Sequence, residues 1–530
     1  MISPEAATQR FYITTAIPYV NAKPHIGFAL EAVQTDALAR YQRWKGADVR
    51  FLTGTDENSL KNVRAAEQAG IPTQALVDHY AAEFYALRTA LNLSFDDFIR
   101  TSTDPRHRAG VERLWQACAQ RGDIYTRPYR GLYCVGCEQF YAEDELADGL
   151  CPEHLTAPEI VEEQNYFFRL SRYADQLREL IATDRLRIVP QSRKNEVLSF
   201  LRGGLADFSI SRSRARARGW GIAVPGDPDQ VIYVWFDALG NYITALGYAD
   251  DAPLYQRYWA DNPRRVHVIG KGIIRFHAVY WPAILLSAGV PLPTTILVHG
   301  YVTAGGEKIS KSRGNSIDPV ALAERYGTDA LRYYLLREIP PTEDGDFTLA
   351  RFARAYNTGL ADQLGNLLQR VLGMVSRYYG GSVPAPGQPD DLDQQLIATA
   401  QVLAECVDTA LERYAPNEAL AAIWDLIAAA NKYVVVVQPW TLAKRRAESA
   451  AEQRLATSLY NLIETLRLVA HTLVPLLPAT AVAITRQLGI ALDPGGERRA
   501  ALAWGGYPAG TPIQPGEVLF PKHDQAEVDE

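Results

Sequence analysis

The sequence predicts an α/β chain: a doubly wound parallel sheet, split by a cysteine-bearing insertion and followed by an all-α helical bundle. Three observations carry that expectation. β-branched and aromatic runs alternate with amphipathic segments through the first part of the chain, which is the βαβ rhythm of a parallel sheet. The rhythm breaks at residue 116, where most of the cysteines fall, and resumes at residue 226. From residue 351 the strand pattern gives way to long segments of helical period.

In order, a strand is expected over 11–17, a helix over 28–45, a strand over 49–55 and a helix over 59–70. Between the first strand and helix lies a loop ending in His25-Ile26-Gly27-Phe28. A strand that feeds a helix N-terminus presents unpaired N–H groups and a positive dipole end, a natural place for phosphate. Gly27 removes the Cβ that would hold a ligand off the backbone. The rhythm resumes with strands expected at 231–238, 266–271 and 296–302, and an apolar helix from Phe276. The next segment, Glu307-Lys-Ile-Ser-Lys-Ser-Arg-Gly-Asn315, places Lys308 and Lys311 around Ser310. Two lysines at that spacing clamp a phosphate chain as charge develops on it. Helices are expected over 352–379, 391–413, 416–437 and 453–476, with the Gly380-Gly381 to Pro386 stretch as a loop.

The five cysteines add a metal. Cys134-Val-Gly-Cys137 and Cys151-Pro-Glu-His154 have the CxxC…CxxH spacing of a closed, tetrahedral structural zinc site. Cys118 and Cys406 fall in apolar helical patterns and are expected in the core.

Composition bounds the rest. With 530 residues, 47% hydrophobic and 22% charged, the chain is a multi-domain globular protein. The expected boundaries are 1–115, 116–225, 226–305, 306–350 and 351–530. No run is expected to span a membrane and the N-terminus lacks a charged region followed by an apolar stretch, so a cytoplasmic protein away from membranes is expected. A net charge of −7 does not advertise nucleic-acid binding, but residues 212–218 (RSRARAR) offer a local basic patch. The acidic tail from Asp524 is expected to fray.

These motifs together resemble the methionyl-tRNA synthetase family of class I aminoacyl-tRNA synthetases, over essentially the whole chain. The resemblance implies a Rossmann-like catalytic domain split by a zinc knuckle, an anticodon-binding bundle, and ATP-dependent ligation of methionine to tRNA(Met), with Mg²⁺ accompanying ATP. It implies His25, Lys308 and Lys311 as catalytic residues, with Asn21, Gly27 and Ser310 also on ATP. It assigns Ile17, Tyr19, Asp56, Trp235, Ala238, Leu239, Tyr242, Ile273, Phe276 and His277 to methionine, Asp56 holding its ammonium. Asn366 and Arg370, with Pro439 and Trp440, match the anticodon-reading face, where Trp stacks on a base and Asn and Arg bond base edges. The resemblance further implies a monomer, since the chain ends soon after the bundle.

The chain departs from the family pattern at Phe28, which replaces the second histidine of the HIGH-type motif, and at Asn58-Ser59, which replaces His-Gly. Ile309 replaces a methionine. Lys23 or Arg275 is expected to supply the donor missing at 28, and positions 28 and 58 are expected to touch. Two other readings stay open: a paralogue that activates methionine or a related amino acid for a non-tRNA acceptor, and a catalytically silent tRNA- or nucleotide-binding regulator.

Overall fold

Six parallel strands form the central sheet of the computed structural model, which describes residues 9–153, 155–309, 317–492 and 501–523. They are β1 (Arg10–Thr14), β2 (Asp48–Thr55), β3 (Asp97–Arg100), β4 (Arg187–Val189), β5 (Arg265–Gly270) and β6 (Thr295–His299), in the order β3-β2-β1-β5-β6-β4. Chain order runs outward from β1 in one direction and returns through β5 in the other, so the switch point lies between β1 and β5. Ligands of doubly wound sheets bind at the carboxyl ends of the strands at such a point.

Helices α1 (Ile26–Trp44), α2 (Leu60–Ala69), α3 (Thr73–Ala90) and α4 (Pro105–Gln120) follow the first three strands. Local chemistry sets their ends. The Ser59 hydroxyl caps α2 by accepting from the Lys61 N–H, and Gly70 closes it in the left-handed region. Asp104 caps α4 ahead of Pro105.

The insertion is largely antiparallel: Ile124–Cys134 pairs along its length with Glu159–Phe168, flanked by Gln139–Tyr141 and Phe208–Ser209. β4 arises within the range read as insertion; at three residues it is too short to carry a periodic signal. The expected strand at 231–238 is a correction. Asp227–Ile232 pairs in a separate antiparallel sheet, and the chain then turns into helix α5 (Val234–Leu239). A fully buried apolar run does not distinguish strand from helix by its pattern. After β5 comes a short helical stretch leading into α6 (Trp281–Ala288).

The chain forms two compact units: one from the chain up to Glu31, Asp48–Thr89 and Leu93–His299, the other from Ala32–Ala47, Ala90–Asn92 and the chain from Gly300 on. In the second, α7 (Asn366–Tyr379), α8 (Asp391–Glu412), α9 (Pro416–Val437), α10 (Pro439–Lys444), α11 (Ser449–Leu473) and α12 (Pro478–Gln487) build the bundle. Asp393 of α8 is buried and accepts from Arg454 (2.7 Å), Asn461 (2.9 Å) and Tyr433, which pins α8, α9 and α11 together. Arg332 is wholly buried and pairs with Asp36 at 2.8 Å.

Two further expectations need correction. Cys118 is buried, but Cys406 is exposed on α8. One helical stretch, Pro416–Lys444, is long and apolar enough to cross a membrane, with a mean hydropathy of 1.6. Its apolarity serves the bundle core, where Leu420, Ile423, Ile427 and Val434 are buried, and Gln438 at φ 50° interrupts the helix.

Candidate active site

The residues that follow β1, β2 and β5 converge. A narrow cavity of about 20 Å³ is lined by Ala16, Ile17, Asp56, Trp235, Ala238, Leu239, Asn241, Tyr242, Ile273 and His277. Ala16 and Ile17 follow β1, Asp56 follows β2, and Ile273 and His277 follow β5; α5 and the turn after it supply the rest. Tyr19 and Phe276 stand one layer out. Phe276 stacks on Trp235 at 3.7 Å, and Tyr19 meets Trp235 edge-on at 6.4 Å. All ten residues expected around methionine therefore lie in or against one cavity. Ala16 and Asn241 also line it and were not singled out; small and amide side chains inside a larger motif carry no chemical signal of their own.

Adjacent strand residues point to opposite faces, and Asp56 and Glu57 divide accordingly. Glu57 is buried against Arg100, which donates to it at 2.7 and 3.1 Å. Asp56 enters the cavity. Burial, then the nearby charges of Asp237 and Glu138, hold its carboxyl well above the usual carboxylate range. Its Oδ1 has no partner among the described residues, nor do Tyr19 OH, Trp235 Nε1 and Asn241 Oδ1. Each such buried orphan costs about 1–3 kcal/mol, so four around one cavity mark a place prepared for a polar ligand.

Tyr242 and His277 form the opposite wall. His277 Nδ1 lies 3.1 Å from the Ile273 carbonyl, which only accepts, so Nδ1 carries the hydrogen and Nε2 accepts from Tyr242 OH at 2.7 Å. Burial lowers the His277 pKa to about 4, so the ring is neutral. Both donors are thus engaged within the wall itself.

At the N-terminus of α1, His25 is exposed and its Nδ1 accepts from the Gly27 N–H at 3.1 Å. A Cβ on Gly27 would lie 2.9 Å from the His25 ring, so glycine is required for the imidazole to fold back over the helix end. Asn21 is half-buried in the same loop. Glu31, one and a half turns along α1, was missed: it accepts from the Ala16 N–H at 2.7 Å and lies 2.8 Å from His299 Nε2, tying the ends of β1 and β6 together.

Phe28 packs edge-on against Phe84 of α3 at 5.0 Å, whereas Asn58 bonds to Asp237 and Thr101; the two positions have different partners, against expectation. Lys23 pairs with Glu83 at 3.7 Å and Arg275 with Glu145 at 3.0 Å, so each candidate substitute for the missing histidine is already matched to a carboxylate.

The Sγ atoms of Cys134, Cys137 and Cys151 lie within 4.8 Å of one another. Zn–S bonds of about 2.3 Å in a tetrahedron place sulfurs about 3.8 Å apart, so the three fit a structural zinc. Tyr141 OH lies 3.1 Å from Cys137 Sγ, a polar contact beside the ligands. His154 lies outside the described residues. Glu138, next to Cys137, is buried at φ 54°. It accepts from Ser59 Oγ (2.8 Å), the Lys61 N–H (3.1 Å), Arg212 (3.0 Å) and Tyr133 OH, so the knuckle grips the start of α2 just beyond Asp56. The basic run is largely matched to carboxylates: Arg212 pairs with Glu138, Arg216 with Glu163 and Arg218 with Glu67, and Arg214 and Arg218 are the exposed members.

In the second unit, Val302–Ala304 and Glu307–Lys308 form a hairpin whose turn, Gly305-Gly306, has positive φ at both positions. The Lys308 backbone is in that strand. Ser310 and Lys311 lie outside the described residues, as does the Lys308 side chain. α7, which carries Asn366 and Arg370, packs against α10, which begins Pro439-Trp440. Pro439 is buried and Trp440 is 40% exposed.

Comparison with known proteins gives this geometry its context. The family described as "tRNA synthetases class I (M)" matches residues 11–159 and 154–372, and "Anticodon binding domain of methionyl tRNA ligase" matches 383–530. The chain belongs to the methionyl-tRNA synthetase family. Within that family it is 47% identical over 519 residues to the methionine–tRNA ligase of Mycobacterium bovis, covering 97% of this chain and 98% of that one. The ligase of Clostridium acetobutylicum is 45% identical over 518 residues, covering 97% and 78%. The solved structure of Mycobacterium tuberculosis methionyl-tRNA synthetase in complex with methionyl-adenylate superposes with a TM-score of 0.92 at 46% identity, covering 97% and 100%.

Proposed function

We propose that the protein is a methionine–tRNA ligase: it activates L-methionine with ATP, as the magnesium complex, to methionyl-adenylate and transfers the methionyl group to tRNA(Met). The observation that carries this reading is the cavity itself, where an unpartnered buried carboxylate oxygen on Asp56 faces walls of Trp235, Leu239, Tyr242 and Ile273. The carboxylate accepts from the substrate ammonium, whose charge offsets the cost of burying Asp56. The apolar walls take a long, polarizable thioether. Such walls discriminate by about 10–200-fold per methylene, so close analogues are partial substrates.

The substrate carboxylate attacks the α-phosphorus of ATP and pyrophosphate leaves. His25, at the positive end of α1, and Lys308 and Lys311 stabilise the charge that develops on phosphorus and leaving group. Asn21, Gly27 and Ser310 seat the nucleotide. A tRNA hydroxyl then attacks the adenylate, while Asn366, Arg370, Pro439 and Trp440 read the anticodon. Cys134, Cys137, Cys151 and His154 hold a zinc ion that cross-links the insertion and takes no part in the chemistry.

Methionine-dependent ATP–pyrophosphate exchange, followed by charging of tRNA(Met), tests the reading. Exchange with methionine and not with the other amino acids is expected. No exchange from a folded, zinc-loaded protein would leave a nucleotide- or tRNA-binding protein instead, and exchange without charging would point to another acceptor.

A further inference from the structure

Asn58 follows Asp56 by two residues and spends its amide on two acceptors. Nδ2 donates to Asp237 Oδ2 at 2.7 Å and to the Thr101 carbonyl at 3.2 Å. The other oxygen of Asp237 accepts from His107 Nε2 at 2.5 Å, and His107 Nδ1 lies 2.9 Å from Thr244 Oγ1. Asp237 and His107 are completely buried. Asp237 sits in α5 between Trp235 and Ala238, both of which line the cavity. A continuous chain, Asn58–Asp237–His107–Thr244, therefore runs behind the cavity wall and joins the end of β2 to α5 and α4.

A carboxylate this deeply buried persists only while its oxygens are bonded. His107 serves one oxygen and Asn58 the other. The Thr101 carbonyl fixes the second amide hydrogen, so the Asn58 side chain is held from both sides and cannot turn its oxygen toward Asp237 without losing both bonds.

We propose that Asn58 is a positioning residue for methionine: by clamping Asp237 it sets the Trp235–Ala238 wall at the distance from Asp56 that the substrate ammonium and side chain require. The inference rests on the placement of methionine in the Asp56–Trp235 cavity. It gives the asparagine that stands in place of the family's histidine a defined task, since an amide N–H and a ring N–H are both donors that a carboxylate can use.

The test is ATP–pyrophosphate exchange with methionine and ATP varied separately. In Asn58→Leu, which removes the donor, KM for methionine is expected to rise about 10- to 100-fold, while KM for ATP and kcat change by less than about threefold. Asn58→Asp, of equal size but an acceptor, should raise it further by repelling Asp237. Asn58→His restores an N–H and should recover most of the loss. If Asn58→Leu does not fold, Asn58→Ser carries the same expectation. An unchanged KM for methionine in these variants overturns the proposal. So does an equal loss in both KM values and kcat that Asn58→His fails to rescue, which marks general damage. Asp56→Asn separates the layers: if it leaves KM for methionine unchanged, the placement of methionine fails, whereas if it raises KM and the Asn58 variants do not, the positioning role alone fails.

Discussion

Asp56 is where burial and function meet most directly. Its Oδ1 has no partner among the described residues and its carboxyl is raised by burial and by the charge of Asp237, so a cation beside it would be favoured. Replacing it by asparagine keeps the shape and removes the charge. We expect Asp56→Asn to raise KM for methionine by roughly 30-fold or more, with KM for ATP little changed, as read by exchange kinetics. Phe28 is the opposite case. It is seated against Phe84, and the sequence reading expected another cation to replace the missing histidine. If so, Phe28→His changes the exchange rate by less than about threefold; a rise approaching the 10²–10³ that one transition-state donor is worth would show that nothing replaces it.

At the scale of elements, the cysteine knuckle and α2 are one mechanical unit. Glu138 adjoins a metal ligand on one side and holds Ser59 and the Lys61 N–H on the other. Stripping zinc with a chelator, or Cys137→Ser, is expected to lower Tm and to speed amide exchange at the start of α2 before it affects α8 or α11. Uniform loss of protection across all helices would contradict that order. The CxxC spacing and the nearby Cys151 made the knuckle readable, because structural zinc ligands typically come in closely spaced pairs along the chain. Glu138 was not readable, since its partners at 59, 61 and 212 are remote in sequence.

For the whole molecule, pH acts through buried histidines. His277 titrates at about 4 in the folded chain against about 6.5 when unfolded, and burial pushes His267 well below its ordinary value as well. Between those two values the unfolded chain binds the proton and the folded chain does not. His277 therefore costs nothing above pH 6.5 and removes stability progressively as pH falls toward 4, by about 3 kcal/mol in all. Denaturant titrations at pH 7.5 and 4.5 should show a lower midpoint at the acid end, and His277→Gln should flatten the difference. An equal midpoint at both pH values for the unsubstituted chain would contradict the burial argument.

Spacing and period determined much of this protein without coordinates: the alternation of strands and helices, the pairing of cysteines, the helix N-terminus at His25 and the helical second half are local patterns, and local patterns survive in sequence. The tertiary structure decided what depends on meeting at a distance. It turned 234–239 into a helix, recruited residues 187–189 into the sheet, paired Arg212, Arg216 and Arg218 with carboxylates and spent the Tyr242 hydroxyl on His277. Each of these outcomes was settled by a partner far along the chain, because a buried charge or hydroxyl takes whichever partner the fold brings within hydrogen-bonding reach.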